Sequence, residues 1–116
     1  MGAVDFYTEA KGATPEEAYR EAVDKAYAEF GHQDGYNGTI TTTNGFIRVK
    51  CSPINRRTVT RRKAVYDIWE GRNIAKWKRK GFKVEVIQDS RIKKWGKCGC
   101  FALGKNLWGF YGIAAE

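Results

Sequence analysis

Between residues 3 and 9 the side chains alternate, with Val4, Phe6 and Thr8 on one side and Asp5, Tyr7 and Glu9 on the other. That alternation predicts a strand with one buried face. Lys11-Gly12-Ala13 turns the chain, and Thr14-Pro15-Glu16-Glu17 combines an N-cap, a proline at the first helical position and a capping-box glutamate. Ala18, Ala22 and Ala26 recur every fourth residue beside Tyr19, Val23, Tyr27 and Phe30, while Glu16, Arg20, Asp24 and Glu29 lie opposite. This spacing predicts an amphipathic helix of about four turns whose alanines allow close approach to a sheet. Gly31 ends it as a C-terminal cap.

Residues 38–51 read as a hairpin, with arms Thr39–Thr43 and Phe46–Cys51 around Asn44-Gly45, a pair that tolerates the positive φ angles of a type I′ turn. Ile47, Val49 and Cys51 share one face of the second arm and Phe46, Arg48 and Lys50 the other. Ser52-Pro53 breaks the strand. Residues 59–80 read as a second helix with Val65, Ile68, Trp69 and Ala75 as its buried stripe. Gly71-Arg72-Asn73 is its weak point, so a broken helix and a helix preceded by a short strand are both open. Gly81 ends it. Phe82–Gln88 alternates as a strand, and two more strands follow at about 93–103 and 107–114, separated by Gly104-Lys105-Asn106. The order β-α-β-β-α-β-β-β predicts an α+β fold: a two-layer sandwich of a mainly antiparallel sheet with two helices on one face, in a single domain spanning 1–116.

Composition agrees with one folded unit. The chain has 116 residues, 42% apolar and 14% aromatic, with two prolines, which is enough to build one core and argues against disorder. No run approaches the ~18–20 apolar residues of a membrane span. The opening lacks the charged, apolar and small-residue order of a signal peptide, so the expected compartment is the cytoplasm. Charge adds more. Residues 1–50 carry five Lys/Arg against eight Asp/Glu, a net of −3, and residues 51–116 carry sixteen against five, a net of +11. This asymmetry points to an anionic partner: nucleic acid, a nucleotide or an acidic protein surface.

Catalytic constellations find little support. His32 is the only histidine, and the two serines, Ser52 and Ser90, fall in loops. Cys98 or Cys100 could meet His32, but cysteines in strands are most often packing residues. Cys51, Cys98, Cys100 and His32 would make a Cys₃His zinc set, yet the single-residue spacing of Cys98 and Cys100 is not that of a zinc knuckle. Asp67 and Glu70 could share a helix face, where ion pairing with Lys63 and Arg72 is the simpler role. No glycine loop opens a helix in the manner of a phosphate-binding motif. The expectation is a non-enzymatic protein without a cofactor.

Three basic clusters remain: Arg56, Arg57, Arg61, Arg62 and Lys63; Lys76, Lys78, Arg79 and Lys80; and Arg91, Lys93, Lys94 and Lys97, with Trp69, Trp77 and Trp95 among them. Cations neutralise phosphates and exposed rings stack on bases. The expected ligand-binding set is therefore Arg56, Arg57, Arg61, Arg62, Lys76, Trp77, Arg79, Lys80, Lys94 and Trp95. Joint replacement of Arg61 and Arg62 by alanine is expected to weaken binding with thermal stability nearly unchanged. A homo-oligomer through exposed edge strands is a further expectation.

The blocks Glu29-Phe30-Gly31-His32-Gln33-Asp34-Gly35-Tyr36-Asn37-Gly38-Thr39-Ile40, Lys94-Trp95-Gly96-Lys97-Cys98-Gly99-Cys100 and Trp108-Gly109-Phe110-Tyr111-Gly112-Ile113-Ala114 resemble segments of small proteins of bacteriophages and other mobile elements. In those, a helix ends in an aromatic-Gly-His block that runs to Gly-Thr-Ile, and the chain closes with a Lys-Trp-Gly strand and an aromatic strand. Lys97 stands where their pattern has proline. The resemblance implies a phage-type accessory protein that interferes with host defence, and it assigns no activity to any residue. With the charge, it gives three functional expectations: binding of a nucleotide-type anion, direct DNA or RNA binding, and docking on an acidic host protein.

Overall fold

Thr14 caps the first helix as its sequence predicts: its Oγ1 accepts from Glu17 N at 3.2 Å, and Glu17 Oε2 accepts from Ala13 N at 3.1 Å. The computed structural model describes residues 2–30, 39–50 and 57–115. Its elements are β1 (Ala3–Lys11), α1 (Pro15–Phe30), a 3₁₀ turn (Ile40–Thr42), β2 (Phe46–Arg48), α2 (Thr58–Trp69), α3 (Ile74–Arg79), α4 (Val84–Ile87), β3 (Cys98–Gly104) and β4 (Leu107–Ala115). The four strands form one sheet in the order β1-β4-β3-β2. The first two pairings are antiparallel and β2 runs parallel to β3. The fold is α+β with a mostly antiparallel sheet.

Helices lie on both faces of this sheet, so three layers stack where two were expected. Strand alternation sorts the residues. Phe6, Ala10, Phe46, Cys98, Cys100, Trp108 and Phe110 pack against Ala18, Ala22 and Ala26 of α1. Phe101, Leu103 and Tyr111 point the other way and pack against Val65 and Ile68 of α2, Trp77 of α3 and Val84 and Ile87 of α4. On this second face two large rings each lie across a glycine of the neighbouring strand. Tyr111 sits opposite Gly99, and Phe101 opposite Gly109. A Cβ on Gly99 would stand 2.3 Å from the Tyr111 ring, and one on Gly109 2.5 Å from the Phe101 ring. The missing side chains are the space the rings occupy.

The long second helix is broken, for a reason visible at its ends. Gly71 takes φ +78°, its N–H donates to Ile68 O at 3.1 Å, and Arg72 N donates to Asp67 O at 2.7 Å. Gly81 repeats the motif at φ +96°, with Gly81 N on Lys78 O and Phe82 N on Trp77 O, both at 3.1 Å. These paired bonds across a left-handed residue are Schellman stops, and the Trp77–Phe82 ring contact at 5.6 Å supplies the accompanying apolar clasp. Asn73, also left-handed, re-aims α3, so Trp77 is buried and Ala75 of the expected stripe is exposed.

Three other expectations are corrected. Residues 39–43 do not pair as a hairpin arm, because threonine hydroxyls close a local turn instead: Thr42 Oγ1 donates to Thr39 O at 3.0 Å and Thr43 Oγ1 to Ile40 O at 2.6 Å. Phe46–Arg48 pairs in parallel with β3. Residues 84–87 form a helical turn, with Val84 and Ile87, three apart, on its buried side. The strand expected from 93 begins at Cys98, because Trp95 adopts φ +64° and Gly96 N closes a turn on Lys93 O at 2.8 Å. None of the described helices is long and apolar enough to cross a membrane.

Candidate functional site

The outward face of α2 carries Val59, Arg62, Lys63 and Tyr66, the i, i+3, i+4, i+7 pattern of one helical stripe. Together with Tyr7 of β1, Asp67 and Arg72 these residues line an open groove of about 430 Å³. Three cations thus face one lining carboxylate. Tyr66 is 42% exposed and Val59 68%, the largest apolar exposures on this helix. The Arg72 guanidinium lies 6.0 Å from the centre of the Tyr66 ring, and the Tyr7 ring meets Tyr66 edge-on at 6.0 Å. A flat, partly exposed ring beside guanidinium and ammonium groups can stack on a planar ligand while its phosphates are neutralised.

Hydrogen bonds from below hold the groove. Glu9 receives both Nε and Nη2 of Arg62, the latter at 2.9 Å, and the Tyr7 hydroxyl at 2.6 Å. Burial alone would raise the Glu9 pKa, but the bonds from Arg62 and Tyr7 outweigh it and hold the carboxyl below its ordinary value. Burial and then the bond to Glu9 push the Tyr7 phenol far above its own. Asp67 is buried, and its Oδ2 accepts from Trp77 Nε1 at 3.0 Å and Asn73 Nδ2 at 3.3 Å, with Lys63 Nζ at 3.8 Å. Desolvation again works upward on its pKa, and the donors from Trp77 and Asn73, with the charges of Lys63 and Arg72, bring it below the ordinary value.

The ten residues expected to bind a ligand fall in several places. Arg56 lies outside the described residues. Arg57 is exposed at the N-terminus of α2. Arg61 Nη1 donates to Ala102 O at 3.5 Å, and its Nε is buried without a hydrogen-bond partner among the described residues. Arg62 is in the groove. Trp77 is only 3% exposed, which takes its ring out of reach of a stacked base. Lys76 and Lys80 cover that ring, with their Nζ atoms 4.9 and 5.3 Å from its centre. Arg79 is exposed on α3, and Lys94 and the 46% exposed Trp95 lie on the turn before β3.

The first and third basic clusters therefore stand at opposite ends of β3. Thr58 of α2 donates to Leu103 O at 2.6 Å, and Lys97 immediately precedes Cys98. Six residue steps separate Lys97 from Leu103, about 20 Å at 3.3 Å per residue. No single small pocket gathers both clusters.

Cys98 and Cys100 are buried beneath α1, and burial pushes both thiols up to about 12, so neither offers a thiolate at neutral pH. Cys51 and His32 lie outside the described residues. Among the described residues no three His, Cys, Asp or Glu side chains are grouped to hold a metal ion. Tyr7, Tyr66 and Arg72 were missed in reading the sequence as clusters of cations. The stripe from Val59 to Tyr66 was the available signal, whereas Tyr7 and Arg72 join it only through tertiary structure. No family model matches the chain, and no curated protein or solved structure matches it.

Proposed function

We propose that this is a non-enzymatic protein that binds a phosphate-bearing, nucleotide-type ligand on its basic second half, with the α2 groove as the point of contact. The observation that carries this reading is the meeting of Arg62, Lys63 and Arg72 beside the exposed Tyr66 ring. Lys63 and Arg72 supply the charge that is easiest to redirect, since Arg62 is already engaged twice by Glu9. Phosphates would lie against these cations and a base against Tyr66. The resemblance to phage accessory proteins supports the wider reading, in which sequestering a host nucleotide or blocking a host nucleic-acid machine disables a defence.

Direct DNA or RNA binding is the second reading, favoured by the separation of the basic clusters along β3. A polymer can span such a distance, whereas a mononucleotide cannot.

One competition assay tests both. A labelled short oligonucleotide is titrated at low and moderate salt, then challenged with mono-, di- and cyclic nucleotides. Salt-tolerant binding displaced by one small nucleotide supports the first reading, and steep salt dependence without displacement supports the second. Binding to neither overturns both and turns attention to acidic host proteins. Lys63→Ala with Arg72→Ala should weaken the ligand roughly tenfold. This pair replaces Arg61→Ala with Arg62→Ala as the diagnostic change. Arg62 is bound to Glu9 and Arg61 to Ala102 O, so removing those two would disturb stability as well as charge.

A further inference from the structure

On the other side of the Tyr7–Tyr66 pair lies a second cavity, of about 290 Å³, with the opposite chemistry. Its walls are Phe6 and Tyr7 of β1, Tyr66 and Trp69 of α2 and Tyr111 of β4, and its charged residues are Asp5 and Glu70. Two edge-on ring pairs frame it, Tyr7–Tyr66 at 6.0 Å and Trp69–Tyr111 at 5.1 Å. In a protein of net charge +8, no lysine or arginine lines this cavity. Among the described residues neither Asp5 nor Glu70 has an ion-pair partner.

We propose that this cavity binds an alkylated ammonium group, with the rings of Tyr7, Tyr66 and Trp69 around the methyl groups, Tyr111 as the buried floor and Asp5 and Glu70 balancing the charge. Ring faces attract cations, and quaternary ammonium recognition by aromatic cages is the general form of this chemistry. A bare divalent ion does not suit the site, because calcium and magnesium require six or more oxygen ligands and two carboxylates among rings do not supply them. A primary ammonium or guanidinium would use only the two carboxylates, whereas the methyl groups of an alkylated ammonium also fill the aromatic wall. The volume lies near the lower end of the roughly 300–1,000 Å³ of small-molecule sites and suits a headgroup rather than a whole nucleotide.

The cavity shares Tyr7 and Tyr66 with the anion-binding groove but none of its cations, and the test separates the two readings. Choline is titrated into the intact protein at constant ionic strength, with ring-proton NMR shifts of Tyr66 and Trp69 as the readout. The neutral carbon isostere of choline, 3,3-dimethyl-1-butanol, is titrated alongside. Choline should shift those signals saturably and bind at least roughly tenfold more tightly than the isostere. Glu70→Gln and Asp5→Asn should each weaken choline several-fold, while Lys63→Ala with Arg72→Ala leaves it unweakened. Equal affinity for the isostere, no saturable shift with choline, or loss of choline binding in the Lys63/Arg72 variant would each overturn the proposal.

Discussion

The two faces of the sheet are built from different materials. Beneath α1 the helix contributes small residues, Ala18, Ala22 and Ala26, laid over Cys98, Cys100 and a ring cluster of Tyr19, Phe46, Trp108 and Phe110. Beneath α2, α3 and α4 the rings of Phe101 and Tyr111 lie across strand glycines among aliphatic side chains, tied by buried polar anchors at Asp67 and Tyr111. The first face is covered by one regular helix, with a cavity of about 270 Å³ between that helix, β1 and the 3₁₀ turn. The second is assembled from three short helices with glycine stops, and the basic groove and the acidic cavity both open beside it. Short elements leave edges, corners and half-exposed rings, and these are the places where a ligand can be held.

The largest effect should come from filling the space the rings use. Gly99→Ala places a methyl group against the Tyr111 ring and should destabilise the protein by about 3 kcal/mol, measured by urea denaturation. Combined with Tyr111→Leu, the same substitution should cost much less, which shows as positive coupling in a double-mutant cycle. An alanine that costs the same in both backgrounds would mean that the ring is not what excludes it.

Asp67→Ala should come next, at about 1–3 kcal/mol, because it leaves the buried Trp77 Nε1 without its acceptor. The exposed neighbour Glu85, changed to alanine, serves as the reference within the same face.

Dependence on pH then separates the faces by their titrating groups. Glu9 and Asp67 are held below their ordinary values in the folded protein, so their contribution is present at neutral pH and is lost as pH falls through the carboxylate range, below about 4. On the alkaline side Tyr7 is raised, and Cys98 and Cys100 are pushed up to about 12. The unfolded chain loses these protons first, so stability should fall as pH rises above about 8.5 for the thiols of the α1 face and above about 10 for the phenols, Tyr19 on that face and Tyr7 on the other. Denaturation midpoints across this range provide the check; Glu9→Gln should flatten the acid limb and, because Glu9 also holds the Tyr7 phenol up, soften the alkaline limb above about 10.

The smallest effect belongs to the cations over Trp77. Lys76→Ala or Lys80→Ala should each cost about 0.5 kcal/mol and respond to salt, a shift at the limit of a thermal melt.

What could be read from the chain follows the same division. α1 was legible to its cap, because Thr14, Pro15, Glu17 and the alanine spacing act within a few residues of one another. β1 was legible from alternation over residues 3–9, and β4 from the apolar run that follows Gly104-Lys105-Asn106. Residues 82–88 were not, since one helical turn offers too few positions to separate a period of 2 from one of 3.6, and a Schellman stop at Gly81 decided the outcome. The parallel pairing of β2 with β3 and the helices on both faces depend on contacts between distant segments. At the groove, Arg62 was found from charge, whereas Tyr66 was hidden as one aromatic among many. Its significance depends on Tyr7, which reaches it from β1 across 59 positions of sequence.

The sheet order also bears on when this protein can fold during its own synthesis. β4 occupies an interior position, paired with β1 on one side and β3 on the other, although it is the last described element to be translated. Lys11 must wait for Leu107, and Ala3 for Ala115. Until then α1 has only part of its surface to cover, and β1 leaves the ribosome without its sheet partner. Folding is therefore a late event that closes the two ends of the described chain together, and a nascent chain halted before residue 107 should remain sensitive to protease along its whole length.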